Sequence, residues 1–404
     1  MAGIRVLEVA EHTFVPAASA VLSDWGADVI KVEHVERGDA MRGLGSTGVM
    51  QLGEGTVHVL NEHANRGKRS IGLDLSRPEG VEVLMRLAEI SDVFLNNKLP
   101  RVRAKLGIDA DAVRARNPRI VYVSGSGYGA RGPDANSGGY DVLGYWCRSG
   151  LALAETDVDA EAPAPQPGPA YGDSIGAMTI AGGIAAALFH RERTGEAPVV
   201  DVSLLATGMW AMGAGIALSQ QLGTPWRPPP ADRSGIRNPL TTSYRTGDGR
   251  WLFMSCLQGF AYWADTCRVV GRPDLVDDER FATAEALSAN AYVASQILAE
   301  EFGRRPMEEW KQRFVGFAGQ WSPLQDTLEV AHDPQVVANG YLVESESSAG
   351  VRFPLVATPV QFDGAPSPTR RSPDFNEHAE EILVETLGLD PDEVLQLRID
   401  GVVA

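Results

Sequence analysis

Residues 4–32, IRVLEVAEHTFVPAASAVLSDWGADVIKV, contain the pattern that decides the fold. The apolar run at 4–9 predicts a strand, residues 16–25 predict a helix that ends before Gly26, and residues 28–32 predict a second strand. A proline at position 16 suits the first turn of a helix, where a missing N–H costs no hydrogen bond. Strand, helix and strand at this spacing predict a βαβ unit with parallel strands.

The same alternation continues to about residue 202. Further strands are predicted over residues 70–75, 93–95, 120–123 and 199–202, with helices over 78–90, 110–116 and about 170–193, and a last helix over 203–220. Strands and helices that alternate in this way predict an α/β fold, a Rossmann-like open parallel sheet with helices on both faces. Ligands of such sheets bind beyond the carboxyl ends of the strands.

A proline cluster at residues 225–230, PWRPPP, divides the chain. Three consecutive prolines fit neither a helix interior nor a central strand, so the cluster predicts a hinge. The segment 242–255 predicts a hairpin that turns at 247–249, and helical segments follow it. We therefore predict a large α/β domain over residues 1–224 and 331–404 and a smaller α+β domain over 225–330. Strands at 351–353 and 359–362 and a helix at 376–387 are predicted near the end of the chain.

Composition excludes several classes of protein. Among 404 residues, 36 Lys and Arg face 53 Asp and Glu, and the net charge of −17 would repel a nucleic-acid backbone. The three cysteines lack CxxC or zinc-ligand spacing, which predicts reduced thiols and no metal site. The longest apolar stretch, residues 178–189, is about half of the roughly 20 residues that a membrane span needs. A soluble cytoplasmic protein with neither a nucleic-acid nor a membrane partner is expected.

Sequence motifs give little support for a nucleotide-binding protein or a hydrolase. Residues 127–132 form a GxGxxG pattern after a predicted strand, but residues 133–139 continue as loop instead of opening a helix, so a plain loop is predicted there. The sequence contains no Walker A, HExxH or EF-hand pattern.

Asp173 lies where a proline-rich stretch, residues 161–169, leads into the long helix predicted from about residue 170. An aspartate at such a junction can act as an N-cap for the helix. The same position can keep a carboxylate ionised through the helix dipole and surround it with N–H groups that stabilise an oxyanion. The residues alone leave both the N-cap and the carboxylate nucleophile open.

Ordered blocks across the whole chain resemble the CaiB/BaiF type of family III CoA-transferases. The central blocks are residues 172–178, 184–195 and 200–204, and the others are 6–9, 26–33, 68–75, 117–122, 126–129, 139–141 and 333–336. The resemblance implies that Asp173 is a nucleophile that attacks an acyl-CoA thioester. It also implies that coenzyme A is exchanged between an acyl-CoA and a carboxylic acid without a metal, by a homodimer of interlinked rings.

The resemblance also implies a set of substrate contacts. The expected coenzyme A contacts are Thr13, Phe14, His34, Lys68, Asn97, Lys98, Lys105 and Tyr140, and the expected lid over the acyl group is Gln258, Gly259 and Phe260. Several of these depart from the family pattern: Lys98 replaces an aromatic residue, Thr13 and Phe14 stand in place of a Gln-Ala pair, and His34 replaces a common arginine. The two lysines at 68 and 105 can alternatively be surface charges.

Two other functions remain open from the sequence. Racemase relatives in this superfamily carry a histidine where this chain has Tyr140, and a tyrosine with an ordinary pKa of about 10 is a poor base at neutral pH. Transfer is therefore favoured over racemisation or isomerisation. The third possibility is a non-catalytic CoA-binding protein, which the altered contacts at Thr13, His34, Lys98 and Leu99 suggest.

Overall fold

A computed structural model gives the structure of the protein and describes residues 1–44, 57–228, 232–233 and 235–404. The chain divides into two compact units. The large unit comprises Met1–Trp226 and Gln335–Ala404, and the second unit comprises Arg227–Pro334. The proline cluster predicted as a hinge spans this division, and its residues 229 and 230 lie outside the described part of the chain.

The large unit is built on a six-stranded parallel sheet in the order β3-β2-β1-β4-β5-β6. The strands are β1 (Arg5–Val9), β2 (Asp28–His34), β3 (Arg69–Leu73), β4 (Val93–Asn96), β5 (Val121–Ser126) and β6 (Val199–Ser203). Val6 pairs with Val29 on one side and with Val93 on the other, so the chain order reverses on the two sides of β1. This arrangement confirms the predicted α/β fold and places a crevice at the carboxyl ends of β1 and β4.

Helices cover both faces of the sheet. In the large unit they are α1 (Phe14–Asp24), α2 (Val59–Asn65), α3 (Pro78–Glu89), α4 (Pro100–Leu106), α5 (Ala110–Arg116), α6 (Leu151–Ala154), α7 (Tyr171–Thr194), α8 (Leu204–Ala211) and α9 (Gly213–Leu222). Alternate strand residues face opposite sides: Val93 and Leu95 pack into the core with α1 and α7, whereas Phe94 packs into the core with α3. Burial on both faces explains why these strands read as continuous apolar runs.

One described helix, α7, is long and apolar enough by length and composition to cross a membrane. Its residues Ala177, Ile180, Ala181 and Ile184 are buried in the same core cluster as α1. A core helix passes the same test, so this helix is weak evidence for a span.

The second unit has an antiparallel sheet of β7 (Ser243–Arg245), β8 (Trp251–Met254) and β9 (Trp321–Pro323). The predicted hairpin is confirmed, with Tyr244 opposite Leu252 and with Gly249 in the turn at φ 83°. Four helices bury a core of aromatic side chains against this sheet. They are α10 (Gly259–Val270), α11 (Ala284–Ala289), α12 (Ala291–Phe302) and α13 (Met307–Arg313).

The last part of the chain differs most from the sequence predictions. It contains α14 (Pro334–Asn339), the antiparallel pair β10 (Leu342–Glu346) and β11 (Arg352–Val356), and α15 (Pro391–Ile399). The predicted strand at 359–362 is wrong, since only Phe362 makes an isolated bridge, and the predicted helix at 376–387 is reduced to a π-helical turn, Glu381–Thr386. The single helix predicted over 203–220 is two helices, because Met212 at φ −90° and ψ 8° interrupts the helical backbone.

Candidate functional site

The main cavity of interest lies at the carboxyl ends of β1, β4 and β5. Its volume is about 950 Å³ including its opening to solvent. It is lined by Glu11, His12, Phe14, Asn97, Lys98, Leu99, Pro100, Arg103, Ser124, Gly125, Ser126, Gly127, Gly129, Ala130, Ala135, Ser137, Gly138, Gly139, Tyr140, Asp173, Asp201 and Leu204. Residues 127–132, the GxGxxG pattern, form part of this wall as a loop, as predicted.

Asp173 faces this cavity from the first turn of α7. The N-cap is Ala170, in the left-handed conformation at φ 54°, and Asp173 is the third helical residue. The N-cap interpretation of Asp173 is therefore wrong. The carboxylate that caps this helix comes from a distant part of the chain, and the Asp173 carboxyl group is left in the cavity wall.

Burial, and to a smaller extent the nearby negative charge of Asp141, together raise the pKa of the Asp173 carboxyl group to about 8. Both effects favour the protonated form of Asp173 and act against the expected influence of the helix dipole. Two carboxylates in a poorly solvated space do not both carry charge readily. A raised pKa in a cavity is a common property of groups that take part in catalysis.

Asp141 is a site residue to which sequence analysis assigned no role. Both of its carboxylate oxygens accept the Gly172 N–H at 3.1 Å, and Oδ2 also accepts from Gln166 Nε2 at 2.6 Å. Burial raises its pKa, while these donors act against that shift. Asp141 thus ties the loop before the π-helical turn Val142–Cys147 to the start of α7 and so fixes the position of Asp173.

Gly172 makes this arrangement possible because it has no side chain. A Cβ at this position would lie 2.2 Å from Tyr145 Cγ and 2.4 Å from Asp141 Oδ1. We expect Gly172→Ala to cost about 1–3 kcal/mol of stability through overpacking and to lower activity by displacing Asp173. Urea unfolding and steady-state transfer assays measure both effects.

Gly182→Ala is the matched control for that substitution because it lies in the same helix and its Cβ would meet nothing within 4 Å. The extra methyl group should raise stability by about 0.5–1 kcal/mol through helix propensity, with activity unchanged. Equal effects of the two substitutions would contradict the steric role of Gly172.

The segment after β1 forms a second wall of the cavity. Asn97 holds it by accepting the Glu11 N–H at 3.3 Å and by donating to the Glu11 carbonyl at 2.7 Å. His12 is in the left-handed conformation at φ 70°, and its ring meets Tyr140 edge-on with centroids 5.4 Å apart. Tyr140 is 65 % exposed. Asn97 therefore shapes the cavity through the backbone as well as lining it.

Two cations line the cavity. Lys98 Nζ lies 2.7 Å from Glu11 Oε2, so a carboxylate already balances its charge. Arg103 donates to the neutral Ser124 hydroxyl. Arginine beside a neutral partner is well suited to bind phosphate. Arg103 was not predicted as a site residue because α4 was not predicted, although Pro100 at the first helical position was an available signal.

Most of the remaining expected coenzyme A contacts lie outside the lining of this cavity. Lys68 is a correction: its ammonium is fully buried and bonds Glu8 Oε2 at 2.7 Å, the Pro16 carbonyl at 2.8 Å and Asn65 Oδ1 at 3.0 Å, so it has a structural role in place of the expected ligand contact. Thr13 is buried at the start of α1. Phe14 does line the cavity. His34 and Lys105 are exposed outside the cavity lining.

The expected lid residues Gln258, Gly259 and Phe260 belong to the second unit, where they line a separate depression. Gly259 begins α10, and a Cβ there would lie 2.2 Å from Asn238 Oδ1. Their role over an acyl group stays a prediction. Among the described residues, no group of three or more His, Cys, Asp and Glu side chains is arranged to hold a metal ion.

Comparisons of sequence and of structure with known proteins point to one family. The sequence model of CoA-transferase family III matches residues 1–379. The chain is 27% identical over 403 residues to (R)-2-hydroxy-4-methylpentanoate CoA-transferase of Clostridioides difficile, covering 99% of this chain and 98% of that protein. It is 31% identical over 396 residues to succinate–glutarate CoA-transferase of Agrobacterium fabrum, covering 95% of each. The crystal structure of a CaiB/BaiF family protein from Brucella suis superposes with a TM-score of 0.78 at 28% identity, over 95% of this chain and 98% of that one.

Proposed function

The chain belongs to CoA-transferase family III, and on that premise we propose that it moves coenzyme A from a donor acyl-CoA to an acceptor carboxylic acid through covalent intermediates on Asp173. That the protein is a transferase follows from its relatives, which are named CoA-transferases. The observation that carries the finer proposal is the Asp173 carboxyl group in the wall of a cavity at the carboxyl edge of the sheet.

The proposed reaction has four balanced steps. An Asp173 oxygen attacks the thioester carbon, the C–S bond breaks, and a mixed anhydride and a CoA thiolate form. The thiolate then attacks the Asp173 carbonyl carbon, releases the donor acid and leaves an aspartyl-CoA thioester. The acceptor carboxylate displaces the thiolate from Asp173 to give a second anhydride. Attack of the thiolate on the acceptor's acyl carbon frees Asp173 and completes the new acyl-CoA.

The cavity supplies features that each step needs. The start of α7 favours negative charge on groups near its first turn, including the oxyanion formed when a carbonyl is attacked. The glycines at 138 and 139 bring backbone close to the same space. Arg103 and Lys98 provide positive charge for the phosphates of coenzyme A. Lys98 can do so only when its ion pair with Glu11 is broken.

Trapping the intermediate tests this function most directly. The protein is incubated with a panel of acyl-CoAs, treated with hydroxylamine or borohydride, and digested for mass spectrometry. We expect a covalent change on the peptide that contains Asp173, together with transfer of coenzyme A to an added acid. Absence of any adduct during demonstrable transfer would rule out the covalent route. Deuterium uptake beside the thioester without an acceptor acid would instead indicate the racemase alternative.

The raised pKa of Asp173 predicts a pH profile. Attack requires the ionised carboxylate, and its pKa of about 8 in the free protein means that the ionised fraction grows about tenfold per pH unit below that value. We therefore expect kcat/KM to rise with pH and to level off above about pH 8. Asp141→Asn removes a neighbouring negative charge, which lowers the pKa of Asp173 and moves the rise to lower pH. A flat profile from pH 6 to 9 in the wild type would show that Asp173 is already ionised.

We also propose a homodimer and a cytoplasmic location, as the family resemblance implies. The large unit supports self-association because it carries exposed apolar side chains on consecutive helices, among them Phe189, Met209, Leu222 and Trp210, the last being 87% exposed. Light scattering on the purified protein measures its mass in solution. A single-chain mass at micromolar concentration would contradict the dimer.

A further inference from the structure

An ionic cluster lies beneath the wall of the cavity. It consists of Glu8, Lys31, Asp39 and Lys68, whose side chains are fully buried. Lys31 Nζ lies 2.7 Å from Glu8 Oε1 and 2.7 Å from Asp39 Oδ2, and Lys68 Nζ lies 2.7 Å from Glu8 Oε2. Two positive and two negative groups therefore neutralise one another away from water, an arrangement that fixes side-chain positions closely.

Two members of this ionic cluster hold the backbone of the cavity wall. Lys31 Nζ donates to the Ala10 carbonyl at 3.0 Å, and Asp39 Oδ1 accepts the His12 N–H at 2.9 Å. The Asn97 side chain binds both the backbone N–H and the backbone carbonyl of Glu11, which lies between them. Residues 10–12 are thus tied at successive peptide groups to side chains from three different strands or loops.

His12 shows why such restraint matters. Its φ of 70° is unfavourable for a residue with a Cβ, and such a conformation persists only where the surroundings determine it. The hydrogen bond from the His12 N–H to Asp39 is one such determinant. In this conformation the His12 ring packs against Tyr140 across the cavity, so the ionic cluster and the shape of the binding wall are coupled.

We propose that Asp39 is a positioning residue for binding of the CoA ester, acting through the His12 backbone rather than by touching the substrate. This inference rests on the proposed function, because it assumes that the cavity receives coenzyme A. When the Asp39 carboxylate is removed, residues 10–12 lose an anchor and the His12 ring leaves its place against Tyr140. Binding is then weakened, whereas the chemical step on Asp173 is largely preserved once substrate is bound.

Asp39→Ala provides the first test, because an asparagine at this position would keep an Oδ1 that accepts the His12 N–H. We expect the Kd of free coenzyme A, measured by calorimetry, and the KM of an acyl-CoA to rise about tenfold or more, with kcat at saturation within about threefold of wild type. A merely structural role would lower the amount of active protein, and hence the apparent kcat, without changing Kd. An unchanged Kd in this variant overturns the proposal.

Asn65→Ala is the matched control. Asn65 is buried and accepts from Lys68 at the other end of the same ionic cluster, without contact to residues 10–12 through the described hydrogen bonds. We expect a lower midpoint of urea unfolding. The Kd should stay within about twofold of wild type, well below a tenfold change, which corresponds to about 1.4 kcal/mol. A rise in Kd equal to that of Asp39→Ala would show a general effect of damage to the ionic cluster and would overturn the specific role.

His12→Asn keeps the proposal testable if the Asp39 variant does not fold. Asparagine tolerates the left-handed conformation, so this substitution removes the ring while retaining the backbone geometry. An increased Kd for coenzyme A supports the proposal, and an unchanged Kd overturns it. If the wild type binds no coenzyme A, the proposed function fails and this inference fails with it. If the wild type binds normally and both variants match it, only the positioning role is lost.

Discussion

Asp173→Ala is expected to abolish coenzyme A transfer, with a loss of at least about 10⁴-fold in kcat, the order of loss seen when a covalent nucleophile is removed. The reason is that each of the four proposed steps forms or breaks a bond to this carboxyl group. The measurement is exchange of coenzyme A between an acyl-CoA and an isotopically labelled acid. Undiminished exchange in the variant would eliminate the aspartyl mechanism.

The same substitution should leave the protein folded. Within the described residues, the pKa of Asp173 responds to burial and to Asp141 and to no hydrogen-bond donor, so no described hydrogen bond is lost. Its pKa is raised on folding, so it favours the folded state most at low pH, and that contribution disappears as pH rises through about 8. Stability of the alanine variant should therefore fall less than that of wild type between pH 5 and 9.

Asp111→Ala is the matched control for loss of an aspartate in a first helical turn. Asp111 occupies that position in α5, is exposed, and lies in the same large unit. Its substitution should leave transfer unchanged, with any loss of helix-dipole stabilisation below about 1 kcal/mol. A comparable loss of activity in both variants would indicate unfolding instead of chemistry.

Glu8→Ala should produce the largest loss of stability among the single substitutions considered. It removes the carboxylate that pairs with Lys68 and one of the two that pair with Lys31, and both lysines are buried without access to water. Breaking a buried ionic network from one side costs about 3–5 kcal/mol, because the remaining charges stay desolvated. Urea unfolding followed by fluorescence measures the change. A loss below about 1 kcal/mol would mean that water or a rearranged side chain compensates the lysines.

Arg352→Ala is the control for that experiment. Arg352 and Glu346 form an ion pair across β10 and β11 in which both side chains are largely exposed. Water and salt screen such pairs, so its removal should leave the unfolding midpoint close to that of wild type. The contrast separates the effect of burial from the mere loss of an ion pair.

Sequence patterns predicted the elements of the sheet well and the site incompletely. Apolar runs such as the one around Val93 indicate buried strands. Such a strand has a neighbouring strand on each side, and helices cover both faces of the sheet and exclude water. Asp173 was identified by the motif around it. The pattern gave no means to recognise Asp141, which acts on a helix 31 residues away. Arg103 was missed because its short helix was not predicted, although Pro100 signals the start of that helix. Helix ends near Met212 and residues 376–387 were also misjudged, because tertiary packing overrode local propensity.

What the sequence by itself determined is the parallel α/β architecture, the hairpin at 242–255, the family and the aspartate that carries the proposed chemistry. These depend on local periodicity and on ordered motifs, which are read along the chain. Only the tertiary structure decided that Lys68 is enclosed by Glu8, that Asp39 holds His12, and that the pKa of Asp173 is raised to about 8. Burial and the charges nearest to a group come from residues far apart in sequence, and these set both protonation and accessibility.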